Sequence, residues 1–259
     1  MLSYQHSYHA GNRADVHKHE ILCRALGFIK KVNPKKSVLY AETHAGRGLY
    51  DLTGTESIKT REAQGGWLRV AGKSGAIKSF SDSYIQCIRA LNKGKLMPSY
   101  PGSPMIAAHI LGPNDKIRLF ELHPAEFAAL RQNMGKDKRA HIQKADGIEG
   151  ALQLIIPPDL LMIDPSYEIK SEYETVPEAA LKLHKKWSKA RIMIWVPMLG
   201  AGRHKIFLDK INALFPKATI SKIEWIMPEE SRGMHGSIMV GINTPEIFKT
   251  PLPSAISDS

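Results

Sequence analysis

Thiols are scarce in this chain. Cys23 and Cys87 are the two cysteines among 259 residues, in no redox or metal-like spacing. That excludes a disulfide framework and a thiolate zinc site, and it fits a reducing compartment. Long apolar runs are missing too, so no segment has the length needed to span a bilayer. The opening MLSYQHSYHAGNRADVHKHE is too polar for a secretory signal. Acids are in the minority: 25 Asp plus Glu stand against 36 Lys plus Arg, a net charge of +11 that points to a polyanionic partner. There is no internal repeat. The expectation is a cytoplasmic protein without membrane association, and a hydrophobic content of 43% supports a folded core.

Along the chain, strand and helix signals alternate. Apolar residues recur at helical spacing from Ile21 to Ile29, and Asn33-Pro34 closes that helix. Val38 to Ala41 reads as a short buried strand, followed by an acid and a glycine-bearing loop, "ETHAGRG". "KIRLFELHP" is a second strand ending in Glu121, with Pro124 opening a helix to about Met134. "AHIQKADG" supplies a third strand ending in Asp146, "LLMIDPSY" a fourth and "ARIMIWVPM" a fifth, with the helical "VPEAALKLHKKW" between the last two. "SKIEWIMPE" and "GSIMVGINTP" form a closing antiparallel pair. Such alternation predicts a doubly wound α/β sheet. One interval is too long for a plain dinucleotide fold, because Gly46 and Gly48 lie far from Glu121. Residues 53–100 are therefore read as an inserted, mostly helical subdomain, with 1–52 and 101–259 supplying the core; Trp67, Leu68, Ile85, Ile88 and Leu91 need partners to bury them. The tail TPLPSAISDS is expected to fray.

Successive strands end in acids: Glu42, Glu121, Asp146 and Asp164. Carboxylates gathered on one rim of a sheet stay ionised only where water, hydroxyls or amines meet them, so a ligand rich in such groups is expected there. An acid after the second strand suits ribose hydroxyls, Asp146 suits an amino group, and Gly46 and Gly48 let the backbone approach the ligand. The fourth strand is different. Pro165 ends its ladder pairing, so Asp164 sits at the edge where open α/β sheets bind ligands. The amine of adenine is a poor nucleophile because its lone pair is delocalised into the ring. A carboxylate and a backbone carbonyl accepting its hydrogens localise that pair, and an aromatic face holds the base. Asp164, the carbonyl of Pro165 and Tyr167 supply those three parts. The plain alternative is an ordinary Asp-Pro turn.

In these residues the chain resembles the S-adenosylmethionine-dependent amino-methyltransferases with an Asp-Pro-Pro-Tyr type motif. More closely, it resembles the bacterial 23S ribosomal RNA adenine-N6 methyltransferase family known as RlmJ. The likeness covers nearly the full length and rests on "LSYQHSYHAGNRADVHKH", "ETHAGRGLY", "YPGSP", "ELHP", "KADG", "IDPSYE" and "RGM" in that order. It implies a Rossmann-like S-adenosylmethionine-dependent methyltransferase sheet with a helical insertion after the first core strand. It also implies that His19, His44, Ser103, Glu121, Asp146 and Gly147 line the cofactor site, with Asp164 as catalytic acceptor beside it, and that Tyr4 lies at the RNA-facing entrance. The usual second proline of the motif is Ser166 here, which relaxes the loop but keeps Asp164, Pro165 and Tyr167. The expected partner is 23S rRNA, with no obligatory protein partner. The family is also connected with use of external DNA as a nutrient, so a DNA-processing or DNA-binding protein is the alternative.

The histidines of the N-terminal segment, His6, His9, His17 and His19, are the type of side chain that binds metals, but no cysteine or acid spacing completes a site, and no metal is expected. A segment that closes over substrate is the preferred reading, with His6 and Lys18 toward RNA; Arg13, Lys18 and Arg24 are phosphate contacts or plain solvated charges. "LKLHKKWSK" is an amphipathic helix with a wet basic face, and "EESRGMHGS" a hairpin loop or a flap over the base.

Overall fold

The computed structural model describes residues 6–73, 75–226, 233–244, 247, 252, 253 and 255. Tyr4, the first four residues of the expected flap (229–232) and most of the C-terminal tail lie outside the described residues, while the rest of the expected flap leads into the last strand.

The apolar runs read from the sequence form one sheet. Its strands are β1 (Leu39–Glu42), β4 (Lys116–Phe120), β5 (Ala140–Gln143), β6 (Leu160–Ile163), β7 (Arg191–Leu199), β8 (Thr219–Glu224) and β9 (Met234–Ile242), in the order β5-β4-β1-β6-β7-β9-β8. The first five are parallel, and β9 runs antiparallel to both β7 and β8. β1 and β6 are wholly buried, as expected for central parallel strands covered on both faces. The chain steps from β1 outward to β4 and β5, then returns to the other side of β1 for β6. That reversal creates a crevice at the carboxyl ends of β1 and β6, where such sheets bind ligands.

Between β1 and β4 lies a two-stranded antiparallel ribbon, β2 (Leu49–Asp51) with β3 (Ser99–Pro101). The chain between its strands forms α2 (Thr55–Thr60), α3 (Glu62–Gly65), α4 (Trp67–Gly72) and α5 (Asp82–Leu91), followed after β3 by α6 (Ser103–Ile110). Trp67, Tyr84, Ile88 and Tyr100 are fully buried and join the same apolar cluster as the sheet. The remaining helices are α7 (Pro124–Met134), α8 (Gly147–Leu152), α9 (Glu172–Lys186) and α10 (His204–Leu214).

Two expected boundaries differ. The first helix, α1 (Arg13–Val32), starts well before the apolar stretch at Ile21. Its first turns carry Asp15, His17, Lys18, His19 and Glu20, all buried, so hydrogen bonds and ion pairs take the place of an apolar stripe. Asn12 caps it by accepting the Asp15 N–H at 2.9 Å. The third core strand stops at Gln143, short of Asp146, which instead caps α8 by accepting the Glu149 N–H at 3.0 Å.

Candidate active site

The crevice opens into a cavity of about 200 Å³. Its walls are Thr43 to Gly46 after β1, Glu121 to His123 after β4, Asp146 and Gly147 after β5, and Asp164 and Ser166 after β6; Lys18 and His19 of α1 and Ser103 of α6 complete it. The structure thus brings together His6, Lys18, His19, His44, Gly46, Ser103, Glu121, Asp146, Gly147 and Asp164, which are widely separated in sequence.

On one side the chain is arranged around Glu121. Its carboxylate takes the Gly46 N–H at 2.8 Å and the His123 N–H at 2.7 Å, while burial pushes its pKa upward. Gly46 has φ +58°, and a side chain there would meet the Tyr50 hydroxyl at 2.6 Å. His19 is buried, with Nδ1 3.0 Å from the Tyr100 hydroxyl; burial pulls its pKa to about 3, so the ring is neutral at physiological pH. Burial also lowers the pKa of His44, whose Nδ1 lies 2.7 Å from the Thr43 hydroxyl.

On the other side stands Asp164, at the carboxyl end of β6. Its Oδ2 accepts from the Lys18 ammonium at 2.6 Å. Lys18 also reaches Asp15 Oδ1 at 3.1 Å, and Asp15 Oδ2 meets His6 Nε2 at 2.9 Å and the Gly11 N–H at 2.9 Å. The expectation that Lys18 faces RNA phosphates or plain solvent is therefore corrected: it is 3% exposed and lies between two carboxylates. Burial opposes its charge, but Asp164 and Asp15 outweigh burial and hold its pKa above the usual lysine value. In Asp15 the burial effect is likewise overcome, by His6 and Lys18, and its pKa is held well below the usual range.

Tyr167 does not take the place expected of a base-stacking ring. Its backbone is left-handed (φ 56°), the side chain is 4% exposed, and its hydroxyl donates to the Trp195 carbonyl at 2.8 Å. The ring packs 4.6 Å from that of Tyr173, inside the core. Pro165 is buried beside it, and Ser166, where the motif usually has proline, forms the cavity wall. The four N-terminal histidines do not converge: His6 meets Asp15, His9 meets Glu62 at 2.7 Å, His17 meets Ser237 and Ser221, and His19 meets Tyr100.

Two features escaped sequence reading. One is Glu42, expected to be an ionised rim acid. It is fully buried, Tyr40 donates to its Oε2 at 2.9 Å and Ser103 to its Oε1, and burial, with Asp164 adding to it, pushes its pKa up to about 8. Because the folded state holds this proton more tightly than the unfolded chain, Glu42 makes stability fall as pH rises from about 4.5 to about 8. Glu42→Gln should therefore gain in Tm relative to wild type as pH is raised across that window; parallel Tm curves would show an ionised Glu42. The other is a second cavity of about 610 Å³ that shares His6 and Ser166 with the first. β7 extends to Leu199 while its pairing with β6 ends at Ile194, so Trp195, Pro197 and Leu199, alternate residues of one strand face, are free to line this space.

A family model described as ribosomal RNA large subunit methyltransferase D, RlmJ, matches residues 35–256. The ribosomal RNA large subunit methyltransferase J of Escherichia coli is 33% identical over 250 residues, covering 95% of this chain and 88% of that protein. The protein of the same name from Haemophilus influenzae is 35% identical over 258 residues, covering 97% and 90%. A crystal structure of a Legionella pneumophila protein is 32% identical, covers 96% of this chain and 90% of that one, and superposes with a TM-score of 0.79. The chain belongs to the RlmJ family of ribosomal RNA large subunit methyltransferases.

Proposed function

We propose that this protein transfers the methyl group of S-adenosylmethionine to N6 of one adenine in 23S ribosomal RNA. The observation that carries the reading is Asp164, held at the end of β6 by a buried lysine and facing the same cavity as the Glu121 loop. The donor set fits the cofactor. Glu121 keeps acceptor capacity for ribose hydroxyls after taking two backbone N–H groups, and Asp146 is an exposed acceptor for an amino group. His19, His44, Gly46, Ser103 and Gly147 close the remaining walls. When bound, S-adenosylmethionine supplies an electrophilic methyl group on its sulfonium.

The chain's own residues prepare the acceptor. Lys18 engages Oδ2 of Asp164, so Oδ1 is the oxygen offered to the amine. Asp164 and the Pro165 carbonyl would accept the two N6 hydrogens, which localises the nitrogen lone pair for attack. The base, taken out of its stack, enters where the two cavities meet at Ser166. Tyr167 supports this loop from beneath by anchoring it to β7 through the Trp195 carbonyl.

Family membership supports rRNA over the DNA-processing alternative. Among the described residues no group of three or more His, Cys, Asp or Glu is arranged to hold a metal ion, and no helix is long and apolar enough to cross a membrane. Action in the cytoplasm without an obligatory protein partner completes the proposal. Incubation with labelled S-adenosylmethionine and 23S rRNA lacking the modification should label one adenine as N6-methyladenine; label on another atom, or none, would refute it. With a net charge of +11, affinity for RNA should fall at least tenfold between about 50 and about 200 mM salt. Binding that ignores salt would contradict an electrostatic contact.

A further inference from the structure

We propose that Asp15 is a positioning residue for methyl transfer: it shares the Lys18 ammonium with Asp164, which fixes the Asp164 oxygen offered to the amine and keeps that carboxylate negative. The inference rests on the role of Asp164 proposed above and extends it to a side chain outside the walls of the reaction cavity.

A lysine ammonium sits on a flexible stem and donates in three directions, so one carboxylate alone does not fix it. Lys18 is held from several sides. Asp164 Oδ2 lies 2.6 Å away, Asp15 Oδ1 3.1 Å away, and the centre of the Trp195 ring 5.4 Å away. The i,i+3 spacing puts Asp15 and Lys18 on one face of α1, so their pairing comes with the helix. Charge follows the same geometry. One cation divided between two acids neutralises neither, which leaves Asp164 the electron density that draws the N6 hydrogens. Without the Asp15 charge, the ammonium would turn wholly to Asp164 and compete with the amine for it.

Asp15 is itself held by groups outside the helix. It is 1% exposed; its Oδ2 accepts the Gly11 N–H at 2.9 Å and meets His6 Nε2 at 2.9 Å, and its backbone N–H donates to Asn12 Oδ1 at 2.9 Å. This corner of the chain rests on the inserted segment. The Trp67 N–H donates to the Gly11 carbonyl at 2.7 Å, and the Asn12 carboxamide donates to Glu62 Oε2 at 3.0 Å. Gly66 lets the two backbones meet, since a Cβ there would lie 2.2 Å from the Gly11 carbonyl oxygen. The insertion after β1 thus fixes the corner, the corner fixes Asp15, and Asp15 fixes the contact between Lys18 and Asp164. An acid present only to complement the helix dipole would need none of these contacts.

The test uses the full-length protein and 23S rRNA lacking the modification. Asp15→Asn, which keeps the shape and removes the charge, should lower kcat about tenfold to a hundredfold. The KM for RNA and the Kd for S-adenosylmethionine should stay within about threefold of wild type. In a Lys18→Met background the same substitution should cost less than about threefold, because the group through which Asp15 acts is gone. Should Asp15→Asn fail to fold, Asn12→Ala decides: it loosens the corner without removing a charge, and should lower kcat about threefold to tenfold with the same two constants kept. With Asp164→Asn slowed as expected, three results would overturn this proposal alone: a wild-type kcat in the deciding variant, a loss confined to KM, or an equal loss in the Lys18→Met background. Transfer by Asp164→Asn at the wild-type rate, or label on an atom other than adenine N6, would instead overturn the catalytic reading on which it rests.

Discussion

Asp164→Asn should lower kcat for methyl transfer by about 10²- to 10⁴-fold, the range expected when a positioned acceptor of the reacting amine is lost. Asparagine retains a carbonyl oxygen for the Lys18 ammonium at 2.6 Å but loses the negative charge that draws the amine hydrogens. Alanine is the less informative change. It would leave Lys18, 3% exposed, to Asp15 alone, and breaking a buried pair costs about 3–5 kcal/mol of stability. The check is single-turnover transfer together with calorimetry of S-adenosylmethionine. Lost transfer with cofactor affinity kept within about threefold of wild type, roughly 0.7 kcal/mol, assigns Asp164 to the amine. A purified variant that transfers at the wild-type rate removes it from the chemistry.

Gly147→Ala should damage cofactor binding and stability together. A Cβ at this position would lie 1.8 Å from the Thr43 carbonyl oxygen and 2.4 Å from its carbon, a collision of backbone with backbone that no rotamer relieves. One of two loops has to move, the one after β1 carrying Thr43 to Gly46 or the one after β5 carrying Asp146, and both form the cavity wall. Overpacking of this kind costs about 1–3 kcal/mol, and the same displacement should raise the Kd for S-adenosylmethionine roughly tenfold to a hundredfold. A Tm and a Kd equal to wild type would mean that these loops do not touch in solution.

How much of this was legible in the sequence depends on how far apart the cooperating residues lie. The place of Glu121 and Asp164 on the cavity wall was readable because each follows an apolar strand, and the end of a parallel strand fixes where its next residue goes. The long interval between Gly48 and Glu121, too long for a plain dinucleotide fold, is where α2 to α5 lie. The role of Lys18 was not readable. Its i,i+3 pairing with Asp15 is local, but its shorter contact, to Asp164, spans 146 positions and exists only because α1 lies over the sheet. The start of α1 was missed because its first turns bury charged and polar side chains, which leaves no apolar periodicity to detect. Glu42 looks like the other strand-end acids, and only its full burial between Tyr40 and Ser103 separates it from them. Tyr167 was expected to offer its face to a base; the left-handed turn at that residue sends the ring into the core instead, a conformation that residue type alone does not announce. The second cavity is formed by residues from the N-terminal segment, α3, the loop after β6, β7 and the ends of β8 and β9, so no single motif carries it.

The central claim concerns geometry at the end of β6, and a crystal structure with S-adenosylhomocysteine and an adenine nucleotide tests it most directly. The account predicts the cofactor ribose on Glu121, its sulfur directed toward the loop at Asp164, and the adenine N6 within about 3 Å of the Asp164 carboxylate. An adenine bound with its amine turned away from Asp164, or a cofactor seated outside the Glu121 crevice, would contradict it.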